Sequence, residues 1–112
     1  MKMVMAIVKH TRFEVVRKAL LEAGVEGMTT TEVRGFGRQR GYKEVYRGME
    51  YEVRFLPKVK IEVAVAAEKL EAVIKAIEES ARTGEVGDGK IFVTGLEQCI
   101  RIRTGEKGEV AL

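Results

Sequence analysis

The sequence predicts an α+β fold of the ferredoxin-like class, a βαββαβ sandwich with a long loop between its second and third strands. Two observations support this prediction. Short runs typical of β-strands and two amphipathic helical patterns follow one another in the order β-α-β, long loop, β-α-β. The chain has 112 residues, a usual length for one domain, so we expect a single domain over residues 1–112. Such a domain forms a four-stranded antiparallel sheet with both helices on one face.

The first β-α-β unit begins with a continuously apolar run at residues 3–8, which is typical of a central strand covered on both faces. The helix predicted for residues 13–24 has apolar residues at spacings of three and four and ends at a glycine. Thr11 is predicted to cap this helix, because Glu14 follows it at the spacing of a capping box. β-branched residues then predict a strand over residues 28–36.

The second unit begins with an alternating pattern at residues 59–65, which predicts a half-exposed strand. Residues 68–81 place apolar side chains on one helical face and charges on the other. Another strand is predicted at residues 91–96 and a short last one at residues 100–103. Because both faces of the predicted sheet have apolar residues, we expect the face without helices to be buried against other copies of the chain.

The composition restricts the class of protein. Hydrophobic residues make up 46% of the chain, as in globular proteins, and the net charge of +3 is too evenly balanced to favour a broad nucleic-acid surface. The chain has a single cysteine, Cys99, so it cannot form an intrachain disulfide, which fits a reducing cytoplasm. We interpret Cys99 as a small buried residue that fills space in the core. The single histidine, His10, offers no metal-cluster spacing, and no apolar run approaches the length of a membrane span.

The segment of residues 35–58 contains all three tyrosines and is too long and polar for an ordinary hairpin turn. A compact domain rarely keeps some twenty residues outside its core unless they bind something, so we interpret the segment as a recognition arm. A β-ribbon that turns at residues 47–48 is the alternative shape. Arg38 and Gln39 stand at the base of the arm, where a ligand could reach them. Lys58, on the returning side, either binds a carboxylate or caps the strand edge.

A glycine-rich loop precedes the strand predicted at residues 91–96. Gly84, four further residues and then Gly89 and Lys90 match most of the P-loop pattern. Ile91 follows in place of the hydroxyl residue, and the loop leads from a helix into a strand, so it is not a Walker A motif. Its glycines still allow consecutive N–H groups to face an anion, and Lys90 adds charge, which predicts phosphate binding. A tight connection that needs positive φ is the alternative.

Two arginines stand two positions apart near the end of the chain. Arg101 and Arg103 lie on the predicted last strand, so we expect both to point to the same face. Together with Lys90 they would collect several positive charges around a polyphosphate. Two solvated arginines that protect an edge strand are the alternative.

Five segments, which are spaced correctly over essentially the whole chain, resemble the PII signal-transduction proteins. They are GFGRQ at 35–39, YRGMEY at 46–51, FLPKVKIE at 55–62, TGEVGDGKIFV at 83–93 and RIRTGE at 101–106. The resemblance implies a homotrimer with three clefts between subunits, each of which binds ATP or ADP. It also implies a long T-loop at about 37–55, a glycine-rich B-loop at about 82–90 and a C-terminal loop at about 101–112.

The resemblance implies roles for individual residues. Nucleotide contacts are implied for Thr29, Gly35, Gly37, Arg38, Gln39, Ala64, Gly87, Asp88, Gly89, Lys90, Arg101 and Arg103. Contacts with 2-oxoglutarate are implied for Gln39, Arg40, Gly41, Lys58 and Gly87. Gln39 would also bind the Mg²⁺ ion that bridges the ATP phosphates and 2-oxoglutarate. Arg47 is implied as a partner contact at the tip of the T-loop, and Tyr51 as a site of uridylylation.

The function implied by the resemblance is that of a non-catalytic, cytoplasmic sensor of nitrogen and energy status. Its T-loop would regulate an ammonium transporter or nitrogen-assimilation enzymes, with a membrane involved only through the transporter and no nucleic acid. A slow nucleotide hydrolase that uses the glycine-rich loop is the alternative, although Asp88 and the glutamates are its only candidate general bases. An RNA binder of this fold class would place aromatic residues on central strands, whereas the tyrosines lie in the long loop.

Overall fold

The computed structural model describes residues 1–35 and 55–112, together with the backbone of residues 45–46 and 49–50. The strands and helices of these residues are β1 (Lys2–Lys9), α1 (Phe13–Glu22), β2 (Thr29–Gly35), β3 (Val45–Tyr46), β4 (Met49–Glu50), β5 (Leu56–Val65), α2 (Leu70–Ala81) and β6 (Gly89–Gly95). Short 3₁₀ turns precede both helices, and a third covers Glu109–Ala111. No helix in the described part of the chain is long and apolar enough to cross a membrane.

The four longer strands form one antiparallel sheet in the order β2-β5-β1-β6. The two helices pack against each other, and their buried residues join those of β1 and β5 in one hydrophobic core. The two central strands are therefore neighbours in the sheet although α1, β2 and the long loop separate them in sequence. This arrangement confirms the predicted ferredoxin-like α+β fold.

Strand β1 buries only one of its two faces within a single chain. Val4, Ala6 and Val8 are at most 1% exposed and belong to the core under the helices. The alternate residues Met3 and Met5 are partly exposed, as is Ile7. The core of a single chain therefore buries only every second apolar residue of β1. Burial of the other face against further copies of the chain stays a prediction.

The first helix begins at residue 13 and stops before Gly24, as predicted, whereas the predicted cap, Thr11, is wrong. Residues His10–Arg12 form a 3₁₀ turn, which places Arg12 rather than Thr11 directly before α1, and no side chain caps the helix. At the other end Gly24 has a φ of 92° and donates its N–H to the Leu21 carbonyl. Only glycine adopts that left-handed conformation without strain, so the helix stops there.

The predicted last strand at residues 100–103 is wrong. Ile100 makes one isolated bridge with Lys107, and the chain turns back on itself between them. The Arg101 N–H donates to the Glu106 carbonyl at 2.9 Å, and the Gly105 N–H to the Arg101 carbonyl at 2.7 Å. The segment therefore makes its backbone hydrogen bonds within a local turn instead of joining the sheet.

The backbone of four residues supports the ribbon alternative for the recognition arm. Strands β3 and β4 pair antiparallel, with Val45 opposite Glu50 and Tyr46 opposite Met49. They flank residues 47–48, where the sequence predicts the turn of a ribbon.

Candidate functional site

The glycine-rich loop between α2 and β6 folds around its own aspartate. The Asp88 carboxylate accepts hydrogen bonds from the N–H groups of Thr83 at 2.8 Å and Gly84 at 2.9 Å, and from the Thr83 hydroxyl. These bonds, above all the one from the Thr83 hydroxyl, lower the pKa of Asp88 to about 2. Asp88 is therefore ionised at neutral pH, and it fixes the first turn of the loop without any bound ligand.

All three glycines of this loop adopt the left-handed conformation. Their φ angles are 89° at Gly84, 101° at Gly87 and 102° at Gly89. Gly89 is the most constrained, because a Cβ atom there would lie 1.7 Å from the carbonyl oxygen of Ile7 in β1. Backbone geometry alone thus explains the three glycines, as the alternative interpretation requires, and phosphate binding by the loop stays a prediction.

Lys58 is the residue of this region whose placement is most unusual. It is 8% exposed, and its ammonium group donates to the Gly87 carbonyl at 2.7 Å. Burial lowers the pKa of Lys58, the neighbouring Lys9 lowers it further, and Asp88 opposes both effects. Strand β5 lies between β2 and β1, so the interpretation of Lys58 as a cap on an exposed strand edge is wrong.

The structure brings together three residues to which the sequence analysis gives ligand contacts. Gly35 ends β2 opposite Leu56, and a Cβ atom at Gly35 would lie 3.7 Å from the Lys58 side chain. Lys58 in turn reaches Gly87 at the far end of the glycine-rich loop. The end of β2, the start of β5 and the loop therefore meet around one buried ammonium group.

Sequence reasoning missed Lys9, which lies directly beside this group. Lys9 is the cross-strand neighbour of Lys58, and its ammonium group donates to the Thr83 hydroxyl at 3.3 Å. It also lies 3.5 Å from the carboxylates of Glu85 and Asp88. The only sequence signal was a charge that ends the apolar run of β1. Lys9 links the end of that strand to the glycine-rich loop.

Five further predicted nucleotide contacts line two separate cavities of the single chain. The lining of a cavity of about 730 Å³ includes Thr29 and Ala64 together with Glu109, Ala111 and Leu112. A smaller one of about 290 Å³ includes Asp88, Gly89 and Lys90. The cleft between subunits that the family resemblance implies stays a prediction.

Cys99 is not a fully buried filler. It is partly exposed and lines the larger of the two cavities. His10 is exposed at the end of β1, as the sequence predicts, and the described residues include no group of three or more histidine, cysteine or acidic side chains that could hold a metal.

The two arginines of the C-terminal loop do not share a strand face, because no strand forms there. The Arg101 guanidinium lies 3.1 Å from the Glu106 carboxylate and donates to the carbonyl oxygens of Val110 at 3.2 Å and Leu112 at 3.5 Å. Arg103 is exposed in the turn that follows. Within one chain Arg101 is therefore occupied by its own loop.

Several predicted contacts lie outside the described residues. They are the nucleotide, 2-oxoglutarate and magnesium contacts Gly37, Arg38, Gln39, Arg40 and Gly41, the partner contact Arg47 and the modification site Tyr51. Their roles stay predictions.

Comparison with known proteins gives one consistent result. The family model described as nitrogen regulatory protein P-II matches residues 1–106. The chain is 56% identical over 112 residues to the nitrogen regulatory protein GlnK of Escherichia coli strain K12, with all of both chains covered. It is 54% identical over 112 residues to the nitrogen regulatory protein P-II of Rhizobium etli, again with full coverage of both. With the nitrogen regulatory protein P-II of Rhizobium meliloti it shares 57% identity over 108 residues, which is 96% of each chain.

Proposed function

The chain belongs to the nitrogen regulatory protein P-II family, and we propose that within nitrogen regulation it acts as a non-catalytic sensor of nitrogen and energy status. The proposed sensor is a homotrimer that binds ATP or ADP in the clefts between subunits. Mg²⁺ and 2-oxoglutarate join ATP in the same cleft. The bound ligands set the conformation of the T-loop, and an ammonium transporter or a nitrogen-assimilation enzyme binds only one of its conformations.

The observation that most supports this proposal is the convergence of Gly35, Lys58 and Gly87. Burial of a lysine is costly, because it disfavours the charged ammonium form relative to the neutral amine. The Lys58 ammonium group donates to the carbonyl of Gly87 at 2.7 Å, and a carboxylate is a strong, charged acceptor for such a group. A dicarboxylate such as 2-oxoglutarate is a ligand of the right chemistry for this position.

The uncovered face of the sheet supports the homotrimer. Met3, Met5 and Ile7 of β1 are partly exposed on this face, and Phe92 of β6 lies opposite Met5 with 46% of its surface exposed. A contiguous apolar patch on a sheet face is typical of a subunit interface. Lys90 lies on the same face, opposite Ile7, so an interface built here would bring a second chain close to the glycine-rich loop.

The ligands act through population shifts. A ligand changes the balance of two T-loop states only by the difference in its affinity for them. Mg²⁺, held by Gln39 and the ATP phosphates, would supply the positive charge that allows ATP and 2-oxoglutarate to bind side by side. Lys58 would bind the carboxylate of 2-oxoglutarate. The hydrogen bond from Lys58 to Gly87 would then connect 2-oxoglutarate binding to the glycine-rich loop.

The competing function, a slow nucleotide hydrolase, receives no support from Asp88. A general base works best when its pKa is close to the working pH, whereas the pKa of Asp88 is about 2. Its oxygens are also engaged by Thr83 and Gly84. Steady-state phosphate release at enzyme-like rates, about 1–1,000 s⁻¹, would favour the hydrolase.

Calorimetry on the wild-type chain and on Lys58→Met tests the proposal. Loss of a charged hydrogen bond costs about 1.5–3 kcal/mol, so we expect 2-oxoglutarate, measured with saturating Mg²⁺ and ATP, to bind Lys58→Met at least tenfold more weakly. The affinity for ADP changes less than threefold. Lys18→Met, which removes an exposed lysine of α1, is the matched control and leaves both affinities unchanged.

Two results contradict the proposal in different ways. If the wild-type chain binds neither ATP nor ADP, the sensor function is wrong. If nucleotides bind but Lys58→Met retains wild-type affinity for 2-oxoglutarate, only the role of Lys58 is wrong.

Arg47→Ala tests whether the recognition arm and the ligand pocket have separate roles. It should leave nucleotide affinity intact and weaken binding to an ammonium transporter.

A further inference from the structure

Glu106 is the acidic residue that the C-terminal loop fixes most firmly. Its carboxylate accepts from the Arg101 guanidinium at 3.1 Å and from the Thr104 hydroxyl at 2.8 Å. Its N–H donates to the same hydroxyl at 3.2 Å, and its carbonyl accepts from the Arg101 N–H at 2.9 Å. The loop therefore holds a negative charge in place beside Arg101.

The rest of the Arg101 guanidinium is also engaged by the same loop. It donates to the carbonyl oxygens of Val110 and Leu112, while Glu109, Ala111 and Leu112 line the cavity that includes Thr29 and Ala64. Arg101 thus holds the C-terminal residues that line this cavity in place. A phosphate that binds Arg101 must replace these acceptors, because the guanidinium already donates most of its N–H groups to its own loop.

We propose that Glu106 is an internal competitor of the nucleotide phosphates for Arg101, and that it sets the affinity of the chain for nucleotides. The proposal rests on the proposed function, since it takes Arg101 as a phosphate contact. A carboxylate and a phosphate group are both negatively charged and bind a guanidinium in a similar geometry, so they compete for the same N–H groups. Nucleotide binding then breaks the Arg101–Glu106 pair and loosens residues 104–112.

The variant Glu106→Gln removes the competing charge while it keeps the size and a hydrogen-bonding oxygen. The Arg101–Glu106 pair is 39% exposed on both sides, and such pairs contribute about 0.2–1 kcal/mol. We therefore expect calorimetry to show ADP and ATP binding about two- to fivefold more tightly to Glu106→Gln than to the wild-type chain. Glu97→Gln is the control, because Glu97 is exposed near the end of β6 and makes no ion pair with a described residue.

The sign of the change separates this role from a merely structural one. If Glu106 only shapes the loop so that Arg101 reaches the nucleotide, Glu106→Gln weakens binding, which overturns the proposal. An unchanged affinity, or an equal gain in Glu97→Gln, overturns it as well. In the Arg101→Ala background the proposal requires that Glu106→Gln has no further effect, and a persisting gain shows that Glu106 acts on something other than Arg101.

Hydrogen exchange gives a second readout. The Gly108 N–H donates to the Cys99 carbonyl at 2.9 Å and the Gly105 N–H to the Arg101 carbonyl at 2.7 Å, which protects both amides in the ligand-free loop. We expect saturating ADP to increase exchange of residues 104–112. Reduced or unchanged exchange overturns the proposal. Failure of the wild-type chain to bind ADP at all is a different result, which refutes the proposed function first.

Discussion

Replacement of Gly89 by alanine tests how tightly the glycine-rich loop is fixed to the sheet. Gly89 is the first residue of β6 and pairs with Val8 of β1. An alanine Cβ would lie 1.7 Å from the Ile7 carbonyl oxygen, 2.8 Å from its carbon and 3.3 Å from the Val8 Cα. All three atoms belong to the backbone of a central strand, so they cannot move aside as a flexible side chain would.

The expected loss of stability has two parts. A residue with a Cβ atom in the left-handed conformation costs roughly 1–2 kcal/mol, and φ at Gly89 is 102°. The overlap with β1 adds the cost of forcing atoms into a packed region, typically 1–3 kcal/mol. We therefore expect Gly89→Ala to lower the free energy of unfolding by roughly 2–5 kcal/mol.

Gly84→Ala is a matched control from the same loop. Gly84 has a φ of 89°, close to that of Gly89, but nothing lies within 4 Å of the position of its Cβ atom. It should lose only the conformational part, roughly 1–2 kcal/mol. Urea unfolding at one fixed protein concentration measures both losses, because the stability of an oligomer depends on concentration. Equal losses in the two variants would refute the argument that the approach to β1 requires the glycine.

Three further predictions concern the core and the loop. Leu20→Ala removes a fully buried side chain and should cost about 2–5 kcal/mol in urea unfolding, whereas Leu21→Ala, whose side chain is 48% exposed, should cost less than about 1 kcal/mol; similar losses would contradict the assigned core. Because the pKa of Asp88 falls to about 2 on folding, its carboxylate stabilises the fold fully above its ordinary pKa and loses that effect as the pH falls towards 2. The stability gap between the wild-type chain and Asp88→Asn should therefore shrink between pH 4 and pH 2, and a constant gap refutes the assigned hydrogen bonds. Lys9→Met should increase hydrogen exchange at Thr83, since Lys9 ties the loop to β1, and Lys9→Arg should restore protection; unchanged exchange in Lys9→Met would show that the lysine does not hold the loop.

The candidate site was predictable where it depends on local sequence. The glycines of the loop between α2 and β6, and Lys58 at the start of a strand, stand out because their residue types are unusual at those positions. Sequence reasoning also reaches Gly87, through the resemblance to the family. The structure adds the contact between Lys58 and Gly87, which needs the register of β5 against its neighbours.

The errors occurred where the backbone turns and the local side-chain pattern predicts otherwise. The sequence of residues 100–103 has the composition of a strand, but Gly105 has a φ of 75° and turns the chain back before a strand can form. Thr11 has the spacing of a helix cap, but a 3₁₀ turn places Arg12 at that point. In both cases one or two backbone angles outweighed a side-chain preference.

The sequence by itself determined the fold class, the order of the two helices and the four strands of the sheet, and the family, because hydrophobic periodicity and motif spacing are local properties of the chain. Only the tertiary structure decided which charges meet. Lys9 and Thr83 are 74 positions apart, yet they are in hydrogen-bond contact because β1 lies between β5 and β6 in the sheet. Likewise a turn brings Arg101 into contact with Glu106, and hydrophobic periodicity does not predict that turn. Contacts between distant side chains depend on strand order and backbone turns, and those are set only when the whole core has packed.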